Sequence, residues 1–311
     1  MKRLKSIFWG TPEFSIPSLE ATFNHSDLQL VVTQPDRPRG RGQKLSPCPV
    51  KEWAVSKNLK VISPESLWKK NDPENFFYNE IKSVNADIFV VTAYGNILTK
   101  RILALPKLAA VNLHASLLPR WRGAAPIQRS LEAGDTLSGV SLQKMIYELD
   151  AGNVLAEEEL KIEEVDTALS LSEQLSAQSG KVLNEFFEKL ISLDEFPAGV
   201  EQNPEKITWA EKIEKKEALW QKSWTAEELH NRVRAFRAWP IVQMELNGKK
   251  FKILETQLSN ELSEEREAGE LFVKESQLYV VASCKKLVKI LRWQRPGKSP
   301  VLAAPDFLNG L

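Results

Sequence analysis

A chain of 311 residues, 42% hydrophobic and 27% charged, is long enough for two domains and has the make-up of an ordinary globular protein. Its 42 Lys and Arg against 41 Asp and Glu leave a net charge of +1, which excludes a protein basic throughout but not one with opposite local charges. Cys48 and Cys284 fit neither a disulfide framework nor a metal-ligand spacing, and no run approaches the roughly 20 apolar residues that cross a bilayer.

The N-terminus MKRLKSIFWG opens like a secretory n-region and stops being apolar at Gly10, so it reads as a first β-strand. With two unpaired thiols this points to a reducing compartment, and the cytoplasm is the expected location. TPEFSIPSLEATF follows as a helix, with Thr11 expected as its cap and Pro12 at its first position. Buried strands are predicted at 28–34, 86–94 and 109–116, with helices near 50–57 and 74–84 between them. Strands alternating with helices predict an α/β fold, a mainly parallel sheet covered on both faces. The first strand–turn–helix lacks G-x-G-x-x-G, so a dinucleotide-binding reading is weak.

AAPIQRSLEAG starts a helix with Pro126 in its first turn. SGVSLQKMIYELD and GNVLAEEELKI then alternate like two antiparallel strands joined around DAGN, and a helix spans 167–193. Residues 148–173 hold nine acidic side chains and one basic one, which reads as a solvated acidic face. The Pro-, Gly- and polar-rich stretch at about 194–206 reads as a linker. Beyond it, a helix at 225–237 precedes short strands at 241–247, 250–257, 269–274, 277–282 and 286–294, the spacing of a small OB-like β-barrel. The expected domains are 1–206, including the linker, and 207–311.

Basic residues gather in two islands. Segment 35–44 carries Arg37, Arg39, Arg41 and Lys44 against Asp36, and residues 271–311 carry seven basic and two acidic side chains. Two such islands suit a polyanion partner, although a charge-rich loop reads equally as exposed surface. Two prolines and two glycines predict that 35–44 is extended and unpacked.

One stretch interrupts its own pattern. In VNLHASLLPRWRG, Asn112 and His114 are two apart on a strand and share a face, while Val111 and Leu113 share the other. The strand breaks at Ser-Leu-Leu-Pro, whose Leu-Pro peptide has no isomer fixed by sequence, and ligands of open α/β sheets bind just beyond strand ends. Asp150, in the turn LDAGN where Gly152 permits a tight bend, is the natural third member. A carboxylate beside His114 would fix its tautomer and favour its charged form. No nucleophile elbow surrounds Ser116, so the set suits transfer between two bound substrates. A packed structural histidine and a plain turn aspartate remain the competing readings. So do solvated charge for Arg120 and Arg122, otherwise an anion or ribose-phosphate clamp beside Trp121, and a plain loop for Gly95. Three histidines in the whole chain leave metal catalysis unexpected.

NLHASLLPRWRGAAPIQ together with LDAGN resembles the formyltransferase family that uses 10-formyltetrahydrofolate. WGTPEF, TQPDRPRGRGQKLSPCPVK, AYGNIL, WAEKI and RAFRAWP extend the resemblance along almost the whole chain, toward the branch acting on methionyl initiator tRNA. The resemblance implies that Asn112, His114 and Asp150 are catalytic. Asn112 and protonated His114 would stabilise an oxyanion as the methionyl amine attacks the formyl carbon, while Asp150 orients His114. Ser116, Leu117, Leu118 and Pro119 would line the folate site, with Tyr94, Gly95 and Ile97 holding the pterin. Arg37, Arg39, Arg41 and Lys44 would contact the acceptor stem. No metal is implied, and the expected partners are the charged tRNA and the folate, with the protein a monomer. The chain departs from the family pattern at Ile146, often acidic, and through 208–224 and 237–238. An amino-sugar nucleotide acceptor, a formyl-folate hydrolase and a non-catalytic RNA-binding protein are the alternatives. The basic islands speak against the first, the hydrolases tend to carry an added N-terminal regulatory domain, and an intact Asn112, His114 and Asp150 speaks against the last.

Overall fold

A computed structural model describes residues 3–39, 44–65, 76–193 and 195–308. In chain order the strands are β1 (Lys5–Gly10), β2 (Asp27–Val32), β3 (Arg37–Arg39), β4 (Lys44–Ser46), β5 (Val61–Ile62), β6 (Ile88–Thr92), β7 (Ala109–His114), β8 (Arg122–Gly123), β9 (Leu137–Lys144) and β10 (Val154–Lys161). They continue with β11 (Trp209–Ala210), β12 (Gln243–Leu246), β13 (Lys249–Leu262), β14 (Leu271–Lys274), β15 (Gln277–Val281), β16 (Lys286–Gln294) and β17 (Val301–Leu302). The helices are α1 (Ile16–His25), α2 (Pro49–Ser56), α3 (Phe76–Val84), α4 (Lys100–Leu103), α5 (Pro126–Ala133), α6 (Ala168–Ile191), α7 (Ala226–Ala235) and α8 (Ala303–Leu308). Two compact units form, one from Met1–Gly123, Leu137–Lys161 and Ser172–Trp209, the other from Ala124–Thr136, Ile162–Leu171 and Ala210–Leu311.

The first unit is built on a seven-stranded sheet in the order β10-β9-β7-β6-β1-β2-β5. β5, β2, β1, β6 and β7 run parallel, and β9 and β10 add an antiparallel edge. The central strands read as unbroken apolar runs because both faces are covered. Ile7, Trp9, Leu30, Val32, Phe89 and Val91 pack in one cluster, with the Trp9 ring edge-on to Tyr94 at 5.3 Å between centroids. The strand order reverses between β1 and β6, and crevices at such switch points are where α/β sheets take ligands.

Two expectations about chain exits need correction. Thr11 caps no helix: a short 3₁₀ turn at Glu13–Ser15 intervenes, and α1 starts at Ile16 with Pro17 in its first turn. The Thr11 hydroxyl instead donates to the Tyr94 carbonyl at 3.0 Å and accepts from the Gln34 amide at 3.3 Å, tying together the exits of β1, β6 and β2. Strand β9 does not run on to Asp150. It ends at Lys144, and Asp150 sits in a turn at φ +50°. Gly152 is needed there for proximity rather than for an unusual φ: a Cβ would lie 1.6 Å from the Lys144 carbonyl oxygen. The segment after α6 is also anchored. Val200 and Val154 exchange backbone hydrogen bonds of 2.8 and 2.9 Å, which fixes 198–203 against the start of β10.

The second unit carries an antiparallel sheet ordered β12-β13-β16-β15-β14, with β17 also on β16. All five strands expected between 241 and 294 are present. α7 starts at a capping box, in which the Glu228 amide donates to Thr225 Oγ1 and the Thr225 amide to the Glu228 carboxylate. Among the described residues no helix is long and apolar enough to cross a membrane.

Candidate active site

β7 pairs with β6 through Asn112 and Leu113 and with β9 through Asn112–Gln143 and His114–Ser141. Asn112 and His114 therefore stand on one face at the exit of a central strand, as the alternation implies. The His114 side chain is 7% exposed. Its Nε2 lies 2.8 Å from the Trp121 carbonyl oxygen, which only accepts, so Nε2 carries the proton. Nδ1 faces Asp150, with Oδ2 at 3.7 Å. That is an electrostatic approach, longer than a hydrogen bond. The tautomer is thus set by Trp121, not by Asp150 as the sequence suggested. Trp121 sits at φ +63°, and its amide donates to Thr208 Oγ1 at 2.9 Å, which aims its carbonyl at the imidazole.

The Asp150 carboxylate is held elsewhere. The Gly123 amide donates to Oδ2 at 2.9 Å, and Gln143 Nε2 donates to Oδ1 at 2.9 Å. Gln143 belongs to β9 and is buried together with residues 138–142 of that strand. Nothing in the sequence singles it out, because a glutamine between Leu142 and Lys144 fits an alternating strand. Asn112, His114, Gln143 and Asp150 form one contiguous polar group: an amide and an imidazole beside a carboxylate fixed in orientation. Such a group can polarise a carbonyl and move a proton without a covalent intermediate.

The expected folate residues do not fall together. Leu117, Leu118 and Pro119 line a cleft of about 740 Å³ with the start of β10 and residues 200–208. Tyr94 and Gly95 line another, of about 530 Å³, with Thr11, Gln34 and Arg37 at the switch point of the sheet. Ile97 lines neither and is 57% exposed. Ser116 is buried, and its hydroxyl donates to the Arg120 carbonyl at 2.7 Å, so it shapes the loop rather than a cleft wall. Ser141 staples the same loop, donating to the Ser116 carbonyl at 2.8 Å and accepting from the Leu118 amide at 3.0 Å, where Leu118–Pro119 is cis. Gly95 has φ +88°, a conformation that favours glycine, and its turn presents backbone to the crevice. Burial pushes the Tyr94 hydroxyl up to about 12, with the Asn96 side chain opposing it slightly.

Arg122 is no anion clamp. It is 8% exposed, with Nε and Nη2 donating to Gln202 Oε1 at 3.0 and 2.8 Å, while Arg120 stacks on the Trp121 ring at 4.4 Å. Residues 37–39 of the basic loop are extended as expected but not unpacked, because β3 pairs antiparallel with β4, Arg39 opposite Lys44. Arg37 reaches Gln34, and Asp36, the one acidic residue of the segment, pairs with Lys51 at 2.8 Å. Arg41 lies outside the described residues. Among the described residues no group of three His, Cys, Asp or Glu is disposed to hold a metal.

Set beside known proteins, residues 11–186 match the family described as Formyl transferase, and residues 212–311 match Formyl transferase, C-terminal domain. The chain is 39% identical over 306 residues to a methionyl-tRNA formyltransferase from Xanthomonas axonopodis pv. citri (strain 306), covering 98% of this chain and 97% of that one. A methionyl-tRNA formyltransferase from Xanthomonas oryzae pv. oryzae (strain PXO99A) matches at 39% over the same shares. Among solved structures, an N-formyltransferase from Helicobacter canadensis, in complex with folinic acid and dTDP-3-aminofucose, superposes with TM-score 0.70 at 20% identity over 95% of this chain and 100% of that one. HypX from Aquifex aeolicus, in complex with tetrahydrofolic acid, superposes with TM-score 0.62 at 14% identity over 100% of this chain. The chain spans about half of HypX, 48% of its length. These two structural likenesses speak for the fold.

Proposed function

The chain belongs to the formyl transferase family, and on that premise we propose that it transfers the formyl group of 10-formyltetrahydrofolate to the α-amino group of methionyl initiator tRNA. The observation that carries this reading is the end-to-end likeness to methionyl-tRNA formyltransferases, through both matched regions. The amino nitrogen adds to the formyl carbon, the carbonyl oxygen becomes an oxyanion, and N10 departs as the carbonyl re-forms. One proton leaves the amine and one reaches N10. Asn112 offers its amide N–H to the oxyanion. With Nε2 engaged by Trp121, Nδ1 of His114 is the imidazole atom left to face the reacting groups, and Asp150 sits beside it to take or return the proton.

The pterin is assigned to the backbone of the 91–98 loop, at Tyr94, Gly95 and Ile97, and the rest of the folate to the turn Ser116–Pro119, whose shape the Ser116 hydroxyl helps to set. Support comes from the apolar loop beside Asp150, where Ile146, Tyr147 and Leu149 are exposed, and from Lys100 of α4 lying 4.6 Å over the Tyr147 ring. That contact brings the segment following Ile97 against the loop before Asp150, a suitable slot for a flat heterocycle. Arg37, Arg39, Arg41 and Lys44 are assigned to the acceptor stem, residues 1–206 to catalysis and 207–311 to further tRNA contacts. The protein is read as a cytoplasmic monomer. The test is formyl transfer from 10-formyltetrahydrofolate with methionyl initiator tRNA, uncharged tRNA and an amino-sugar nucleotide offered in parallel. Formylation of the charged tRNA alone is expected. Transfer to the sugar, or release of formate to water with no transfer, would replace this reading.

A further inference from the structure

We propose that Gln202, from the stretch that reads as a linker, is a positioning residue for the Asp150 carboxylate, locked in that role by the buried Arg122. The inference rests on the assignment of Asp150 to the reacting centre; Gln202 lies along the cleft of Leu117–Pro119, but both atoms of its amide are committed to protein partners.

Gln202 is 8% exposed. Its Nε2 donates to the carbonyl oxygens of Asp150 at 2.9 Å and Gly152 at 2.7 Å, spanning the turn that carries the carboxylate. Its Oε1 accepts both bonds from Arg122. The orientation of the amide has one solution: a guanidinium only donates and carbonyls only accept, so the oxygen must face Arg122 and the nitrogen the turn. No other side chain of that length offers an acceptor on one side and two donors on the other. The neighbouring Gly123 supplies the amide that holds Asp150 Oδ2. Arg122 and Gly123 therefore grip Asp150 twice, at the carboxylate through a backbone N–H and at the backbone through Gln202.

The turn needs such a grip. Asp150 sits at φ +50°, unfavourable for a residue with a Cβ, and Gly152 lies hard against the Lys144 carbonyl. Nothing in His114 holds Asp150 in place, because their separation is 3.7 Å. If the turn relaxes, the carboxylate moves away from Nδ1 while both substrate sites stay intact. A displacement on the order of 1 Å at a reacting group lowers turnover by about 100-fold, with little change in substrate binding.

The experiment compares the full-length protein with Gln202→Met, Gln202→Glu, Asp150→Asn and the Gln202→Met/Asp150→Asn double variant. Gln202→Met is expected to lower kcat about 10- to 100-fold, with KM for 10-formyltetrahydrofolate and for charged tRNA within about twofold of wild type. Adding it to Asp150→Asn should lower kcat by less than about twofold more, because the amide acts only through that carboxylate. Exchange of the Gly123 amide proton, followed by NMR, should quicken in Gln202→Met, and this readout does not require activity. Gln202→Glu keeps an acceptor for Arg122 and turns an oxygen toward the two carbonyls. It tests the same grip should the methionine variant not fold, and its kcat should fall at least as far. A kcat near wild type in whichever of the two folds would overturn the proposal. So would a loss that multiplies with Asp150→Asn, or an unchanged Gly123 exchange rate. If the wild-type protein formylates no acceptor, the activity reading fails instead, and the exchange measurement still decides the grip.

Discussion

The imidazole of His114 is anchored by a carbonyl and only approached by a carboxylate, so its work concentrates at one atom, Nδ1. His114→Ala should reduce single-turnover formyl transfer by at least about 100-fold while the dissociation constant for the folate stays within about threefold. Near-normal transfer in that variant would remove His114 from the chemistry. Ser141 makes a different kind of contribution. It is fully buried, faces His114 across the strand pair, and serves both the Ser116 carbonyl and the Leu118 amide. Ser141→Ala strands both backbone groups and should lower stability by about 1–3 kcal/mol. A urea midpoint equal to wild type would mean that the loop closes without this staple. Asn112 and His114 were legible in the sequence because polar residues two apart broke an apolar strand. Gln202 was not, because a glutamine in a polar stretch gives no periodic signal, and its value comes from two carbonyls 50 and 52 positions away in the chain.

At the level of helices and strands, α7 and β13 meet through His230, whose Nδ1 lies 2.9 Å from Thr256 Oγ1. Burial, with the nearby Arg234 charge as a second cause, pushes its pKa down to about 4. The group is neutral in the folded protein at pH 7. Between about pH 6.5 and 4 the unfolded chain binds a proton that the folded chain refuses, so stability is full above that window and falls as the pH drops through it. The slope attributable to His230 is at most about 1.4 kcal/mol per pH unit. Denaturant midpoints at pH 7 and pH 5 should converge more closely in His230→Asn than in wild type. Equal pH slopes would place the acid sensitivity elsewhere. Periodicity located most of the elements, since a buried strand and an amphipathic helix each write a repeating pattern. It failed where tertiary contacts decide: Thr11 follows the local rule for a helix cap, yet three strand exits compete for its hydroxyl. β9 likewise stops short at Lys144 because Gly152 closes against it.

Across the whole molecule, near-neutral net charge coexists with a basic loop whose acidic member is paired off by Lys51. Increasing salt should raise KM for charged tRNA steeply, by roughly 0.7–0.9 of a log unit per log unit of salt for each phosphate contacted, and leave KM for the folate nearly flat. A tRNA KM insensitive to salt would take both basic islands out of the binding surface. The two-part plan, a parallel α/β sheet and then a small antiparallel one, was visible in the alternation of patterns along the sequence. The path of the chain through the two compact units was not, because nothing in residues 124–136 or 162–171 marks them as packing with the chain beyond Ala210.

That path limits how the molecule can be recombined. α5 lies in residues 124–136, yet its Arg129 pairs with Glu217 at 2.6 Å, and Glu132 receives Arg232 of α7 at 3.1 Å. A chimaera made by a single crossover near residue 209 would keep α5 from one parent and take α7 from the other. No single cut respects the boundary. Exchange of the C-terminal region between relatives calls for three grafts made together, or for parents already matched at positions 129, 132, 217 and 232.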